Sequence, residues 1–478
     1  MGYVKRRQTF RVYPTGQQEK DLSRLFGCTR VVRNHFINTM REAHDQGTPL
    51  GLGAAEKAAT TQLKRTEGYE FLNEVSSVAL QQAARNTSRS FREFFRACSG
   101  SRSKVGFPRH ASKRNRQTAS FTKAANFRIR QPQGCRWGFI RLPKITGELK
   151  FRACRDLDWT TVGTVTITRS PSGVYEVSVT HDVEPVILPE TVTACGIDLG
   201  LTSLAAVVSS RGDRQLVDNP RFYRRSKRAL ANAQRKLSRT TKGSSNRRKA
   251  AAKVAKIGRK VACQRKDHLD KLSRQLVNDN QVIGIEDLSV AALSRSLRLS
   301  TSVYDAGWAM FRDMLTYKAA DAGRELVVAD RFYPSSQTCS VCGRRDGKKP
   351  LNVRSWTCVG CDSPLDRDFN AATNLMLYAS EAAGHADSLN ACGGSVRLRL
   401  AGAVSREAGT HRSRRETGAV GIPALKDGED VKTVRGRKAS LPAEDAAPPV
   451  WSVLLEEVNE GNAKVAKSVK VPDMKRPF

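Results

Sequence analysis

The stretch "CGIDLGLTSLAAV", residues 195–207, sets one acid, Asp198, inside a run that otherwise reads as buried strand. Val192, Ile197 and Leu199 are apolar, Gly200 to Ser203 carries a turn signal, and Leu204 to Val207 resume the apolar run. The pattern predicts a β-hairpin. A carboxylate buried in its first strand is costly unless it is paired or holds a metal.

Two more acids have comparable settings. Glu286 ends the short apolar run "QVIGIEDL", and Asp368 opens an amphipathic helix in "LDRDFNAATNLMLYA". The three lie 88 and 82 residues apart, so only a tertiary fold can bring them together. Two strand acids and one helix acid can converge at the edge of an RNase H-like sheet. There they would hold two divalent ions that activate water and stabilise the leaving oxygen of a phosphodiester. Asp287 and Asp366 stand close enough to be ligands instead, and an acid at a helix start also serves as an N-cap. The residues alone leave the choice within each pair open. "GIDLGLTS" has a rival reading as the first phosphate loop of actin-like ATPases and sugar kinases. That reading needs a second D-x-G loop and a Gly-rich adenosine segment, and residues 210–340 offer neither.

A second constellation is more specific. Cys339-x-x-Cys342 and Cys358-x-x-Cys361 are separated by 15 residues, the spacing of a closed thiolate site for one zinc ion. Four cysteines fill its coordination, so the expected role is structural. The eleven cysteines are an odd number and favour a reduced, cytosolic setting over a disulfide framework.

The chain has 478 residues, 82 Lys and Arg against 46 Asp and Glu, and a formal charge of +36. That excess points to a polyanion, most simply nucleic acid. The start "MGYVKRRQTF" has charge but no apolar core of a signal peptide, and no run reaches the length of a membrane span, so no membrane partner is expected.

Along the chain, "RQTFRVYPT" reads as a short strand, residues 17–43 as a helix, and residues 73–98 as a second helix with Phe91, Phe94 and Phe95 on a core face. Residues 101–130 hold nine Lys or Arg and no acid, interleaved with Phe107, Phe121 and Phe127, a pattern that suits rings stacking on bases beside a phosphate backbone and equally suits a solvated basic loop. Short strands from Phe139 to Val183 suggest a small β-barrel completed by the N-terminal strand. Between Arg221 and Arg274, twenty Lys or Arg face only Asp267 and Asp270, and two basic helices broken at "TTKGSS" are expected. Arg224, Arg225, Arg235, Arg247, Arg248, Lys249, Lys253 and Arg265 are the side chains expected to reach nucleic acid. Residues 393–478 lack periodicity and read as a disordered tail.

With these residues assembled, the chain resembles the TnpB family, transposon-encoded RNA-guided DNA nucleases once called OrfB transposases and related to type V CRISPR effectors. The resemblance runs through "FRVYPTGQQ", "GCTRVVRNHF", "GIDLG", "IGIEDLSV", "FYPSSQTCSVCG" and "DRDFNAATN", and covers roughly four fifths of the chain. It implies an α/β multidomain protein. A wedge β-barrel would take residues 1–14 and 120–190, and a helical recognition domain 15–119. A RuvC-like (RNase H-like) nuclease domain would take 191–338 and 367–392, with an inserted zinc ribbon at 339–366. It implies Asp198, Glu286 and Asp368 as catalytic acids for two Mg2+ ions. It also implies a guide RNA from the transposon end or a CRISPR array, a double-stranded DNA target beside a short flanking motif, and a place in the prokaryotic cytosol at the nucleoid. A compact type V CRISPR effector and a guided DNA-binding protein without cleavage are the alternatives. The seven histidines include no His-x-His pair of the kind a tyrosine transposase uses.

Overall fold

Two sheets, each covered by helices, organise the chain in a computed structural model that describes residues 3–100, 105–154, 157–290, 292–293, 300–350 and 352–384. The expectation for residues 393–478 lies outside the described residues.

The first sheet has seven antiparallel strands: β1 (Val4–Tyr13), β2 (Gln117–Thr122), β3 (Arg128–Arg130), β4 (Trp137–Arg141), β5 (Glu148–Arg152), β6 (Thr164–Arg169) and β7 (Tyr175–Val183). Their order is β2-β6-β7-β1-β5-β4-β3, so the N-terminal strand sits in the middle, as its alternation allows. Among the described residues no ladder joins β2 to β3, and the strands expected to form a barrel pair as an open sheet. Phe10 and Val12 point inward with Phe151, Ile140, Val165 and Val177. The same core continues into α1 (Gly16–Asp45), α2 (Leu52–Lys57) and α3 (Ser77–Cys98). A capping box starts α1: Thr15 accepts from Gln18 N, and Gln18 accepts from Thr15 N.

The ring-stacking expectation for residues 101–130 is corrected here. Alternation along β2 turns Ala119 and Phe121 inward, and Phe121 is fully buried. Phe107 packs edge-on against Phe91 and Phe94 at 5.2 and 5.5 Å, and Phe127 packs on the core. These rings are occupied by protein. The core expectation for the α3 aromatics holds for Phe91, whereas Phe95 is exposed.

The second sheet holds β8 (Ala194–Leu199), β9 (Ser203–Ser209), β10 (Arg214–Asp218), β11 (Val282–Glu286) and β12 (Glu325–Ala329). Its order is β10-β9-β8-β11-β12, antiparallel from β10 to β8 and parallel from β8 to β12. The expected hairpin is β8–β9, though its strand begins at Ala194 and Val192 is left exposed. The basic helices form as expected, α4 (Phe222–Ser238) and α5 (Ser245–Asp279), and are followed by α6 (Ser300–Ala306), α7 (Trp308–Ala322) and α8 (Arg367–Ala382). Strand periodicity sorts the two faces. Cys195, Ile197, Ile283 and Ile285 pack with Leu269, Leu276, Phe311 and Leu315 of α5 and α7. Ala194 and Val282 pack with Ala372, Met376 and Ala379 of α8 on the opposite face. Both faces are covered, which is why β8 and β11 read as nearly continuous apolar runs.

Candidate functional site

Gly196 and Gly284 decide where α8 can lie. A Cβ on Gly196 would stand 1.9 Å from Ala372 O, and one on Gly284 would stand 2.3 Å from Leu375 O. Only bare backbone lets the helix come this close. Two residues further along each strand, on the same face, come Asp198 and Glu286. Ile285 lies opposite Ile197 in the parallel ladder, so the two acids leave adjacent strand ends side by side. Leu199 N donates to Glu286 Oε1 at 3.3 Å. The first turn of α8 adds Asp368. All three acids line one cavity of about 950 Å3, together with Arg221, Arg224, Lys227, Arg354 and Arg367.

The electrostatics follow from this crowding. Burial pushes the Asp198 carboxyl well above its usual range, the Glu286 and Asp368 charges push it further, and Arg367 opposes them. Burial likewise pushes Glu286 up to about 7, against the Leu199 amide and the Asp198 contact, which lower it. Carboxylates gathered in a half-buried site must take up a proton or a cation. An all-oxygen donor set suits a hard divalent ion such as Mg2+.

The neighbouring acids have other partners. Asp287 bonds Arg312 at 2.6 Å and also Arg331, and these pairs hold its carboxyl below the usual range. Asp366 is exposed and caps α8, accepting from Asp368 N at 3.0 Å and Phe369 N at 2.9 Å. Asp368 lies two residues further on, within the first turn, and lines the cavity, with Arg354 Nη1 at 3.4 Å.

The four cysteines of the second motif come together. Their sulfur atoms lie within 4.8 Å of one another, with Cys339–Cys361 at 3.7 Å and Cys342–Cys358 at 3.6 Å. Tetrahedral zinc with its usual thiolate bond length separates sulfurs by about 3.8 Å. The thiols therefore fit zinc. A hairpin of β13 (Ser355–Thr357) and β14 (Pro364–Asp366) carries the second pair and runs directly into α8.

The basic candidates divide. Arg224, Arg225, Arg235, Arg248, Lys249 and Lys253 are exposed. Arg247 instead spends its Nη1 on Leu237 O and Thr240 O, at 3.1 and 2.8 Å, and clasps the end of α4. Arg265 bonds Asp305 O at 2.8 Å through Nε and Asp305 Oδ1 at 2.9 Å through Nη2. Buried Asp305 in turn accepts from Tyr223 N and Arg224 N, capping α4 where Arg221, in left-handed backbone, has no capping side-chain bond. Arg247 and Arg265 hold the fold, a role that charge density alone does not show.

One surface escaped the sequence reading. On the outer face of β1-β5-β4-β3, Arg11 lies over Tyr13 at 5.1 Å, Lys150 over Trp137 at 4.1 Å and Arg130 over Phe139 at 4.6 Å. The signal was present in the alternation, but strand register was needed to assemble it.

Fold and site define a mixed α/β protein with a three-carboxylate cavity beside a four-cysteine cluster. A family profile described as "Probable transposase" (OrfB_IS605) matches residues 174–297. A "Cas12f1-like, TNB domain" profile matches 308–375, and a "Helix-turn-helix domain" profile matches 1–48, a range that contains β1 and α1. A protein of Streptomyces pristinaespiralis named "Putative RNA-guided DNA endonuclease" is 41% identical, covering 89% of this chain and 100% of its own length. Escherichia coli InsQ, named in the same way, is 27% identical over 82% of this chain and 96% of its own. The chain belongs to this OrfB-type family, TnpB. Among solved structures, a Cas12f1–sgRNA–target DNA complex shares the fold with a TM-score of 0.52 at 12% identity, covering 78% of this chain and 99% of that one. No helix among the described residues is long and apolar enough to cross a membrane.

Proposed function

We propose that the protein is a transposon-encoded RNA-guided DNA endonuclease that cleaves guide-matched double-stranded DNA beside a short flanking motif. The observation that carries this reading is the meeting of Asp198, Glu286 and Asp368, from β8, β11 and α8, in one basic-rimmed cavity. In this reading the β8–β12 sheet with α8 is a RuvC-type core, and residues 339–366 are its inserted zinc ribbon. The seven-stranded sheet with α1 to α3 grips the guide RNA. Asp198, Glu286 and Asp368 would hold two Mg2+ ions, which would supply an activated water and stabilise the leaving oxygen. Bound cations would favour the ionised form of Asp198 and Glu286, against the burial that favours the protonated one. Arg221, Arg224 and Lys227, on the wall contributed by α4, neutralise phosphates on either side of the scissile one. Asp305 and Arg265 fix that wall.

The test is cleavage and binding by the purified protein–RNA complex. Asp198→Ala, Glu286→Ala and Asp368→Ala each abolish Mg2+-dependent cleavage while guided DNA binding stays near wild type. Asp366→Ala retains the cut at reduced stability, because it loses a cap worth about 1 kcal/mol. Cleavage by the Asp368 variant with none by the Asp366 variant overturns the third ligand. Binding without cleavage in the unmodified protein overturns the nuclease reading in favour of a guided binder.

A further inference from the structure

Asp368 stands at the start of a helix whose first two turns are framed by the four-cysteine module. β14 runs into the cap Asp366, Arg367 N donates to Arg354 O at 2.7 Å, and Arg367 Nη1 donates to Pro350 O at 2.8 Å. One and two turns below, Asn370 and Asn374 share a stripe at i,i+4 and are buried, 3% and 4% exposed. Both side-chain amides donate to the same two carbonyls. Asn370 Nδ2 reaches Thr338 O at 2.8 Å and Ser335 O at 3.3 Å, and Asn374 Nδ2 reaches each of them at 2.7 Å. Asn370 Oδ1 also accepts from Ser340 N at 2.8 Å. Thr338 and Ser340 are the residues on either side of Cys339, so one buried amide holds both flanks of the first cysteine. Ser335 itself lines the acid cavity.

We propose that Asn370 and Asn374 are positioning residues that couple the four-cysteine cluster to the third acid, fixing Asp368 against Asp198 and Glu286. The inference rests on the proposed role of those acids. Asp198 and Glu286 are set by adjacent strand ends, whereas Asp368 is carried by the first turn of α8, with a single 3.4 Å contact from Arg354 Nη1 beside it. Cross-links from α8 to the Cys339 knuckle fix that helix's first turns. The cysteine cluster thereby acts at a distance on divalent-ion binding without contributing a ligand there. A merely space-filling pair of amides would support the fold and leave the acids' ion affinity alone.

The experiment compares wild type, Asn374→Ala, the double variant Asn370→Ala/Asn374→Ala, and Asp368→Ala, each as the guide RNA complex. Zinc per chain is measured by elemental analysis, target binding by titration, Mn2+ affinity by electron paramagnetic resonance, and cleavage across a Mg2+ series. In the double variant we expect zinc and target binding to stay near wild type, with Mn2+ affinity weakened and the Mg2+ requirement raised by about tenfold or more. Excess Mg2+ should recover much of the rate. Unchanged Mn2+ affinity and Mg2+ requirement overturn the inference. So does a parallel loss of zinc, target binding and thermal stability, which would mark a purely structural role. If the double variant does not fold, Asn374→Ala carries the test, because Asn370 still satisfies both carbonyls there, and the same two outcomes decide it at smaller amplitude. Normal cutting by Asp368→Ala sinks the acid reading itself. A dead Asp368→Ala beside an unaltered asparagine variant sinks only the coupling.

Discussion

At the scale of single residues, Asp198 and Glu286 trade stability for a place to hold charge. Glu286 titrates near 7 in the fold, against an ordinary value of 4.5, chiefly because it is buried. The sign follows from linkage. Below about pH 4.5 the carboxyl is protonated both folded and unfolded and costs nothing. Between that value and about 7 the unfolded chain loses its proton first, so ion-free stability falls as pH rises through this window. Glu286→Gln lacks the group and should gain on wild type from pH 5 to 8 in urea unfolding without divalent ions. Adding Mg2+ at pH 8 should close the gap by stabilising wild type alone. A gap independent of pH counts against the site as described. Asp287 and Asp366 show why neighbours in sequence were hard to rank. Their partners, two arginines on Asp287 and two helix amides on Asp366, are tertiary and helix-end contacts that the sequence alone does not show.

At the scale of elements, the packing of α8 turns on two glycines. Gly196→Ala or Gly284→Ala drives a methyl into helix backbone, which cannot yield as a flexible side chain does. Each should cost about 3 kcal/mol and abolish cleavage by displacing Asp368. Gly258→Ala, in the middle of α5 with open space around its Cβ position, should instead stabilise by up to about 1 kcal/mol. Chemical denaturation of the three variants measures both signs together, and equal effects at Gly196 and Gly258 would remove the close-approach argument. These elements were also the part most open to sequence reading. Short apolar runs located β8, β9 and β11, charge and the "TTKGSS" break located α4 and α5, and C-x-x-C spacing located the cysteine cluster. The contacts between elements were closed to it. Nothing in "CGIDLG" says which helix lies on Gly196, and nothing in "DRDFNAATN" says that its asparagines reach Cys339. Phe107 and Phe121 look available to bases because local pattern cannot show that α3 packs against Phe107 and against β2.

At the scale of the molecule, a formal charge of +36 has to be apportioned between fold and partner. Some of it is internal: Arg265 pins Asp305 and Arg247 clasps α4, so these two guanidinium groups serve the hairpin of basic helices. Arg248, Lys249 and Lys253 are exposed along α5. If that face follows a nucleic-acid backbone, binding releases counterions, and log affinity falls linearly with log salt. Each phosphate contact contributes roughly 0.7 to 0.9 to the slope. Replacing Arg248, Lys249 and Lys253 together with Gln should weaken guide RNA or heteroduplex binding and flatten the slope by roughly 2 to 3 if all three contacts are made. Preference for the flanking motif should not change, because phosphate contacts carry no sequence information. Arg247→Gln should behave in the opposite way, lowering the unfolding midpoint and leaving the slope where it was. The contrast separates charge that binds from charge that folds. A slope unmoved by the triple change shows that this face of α5 is solvated, and shifts the search for the guide's footprint to the cation and aromatic face of β1-β5-β4-β3.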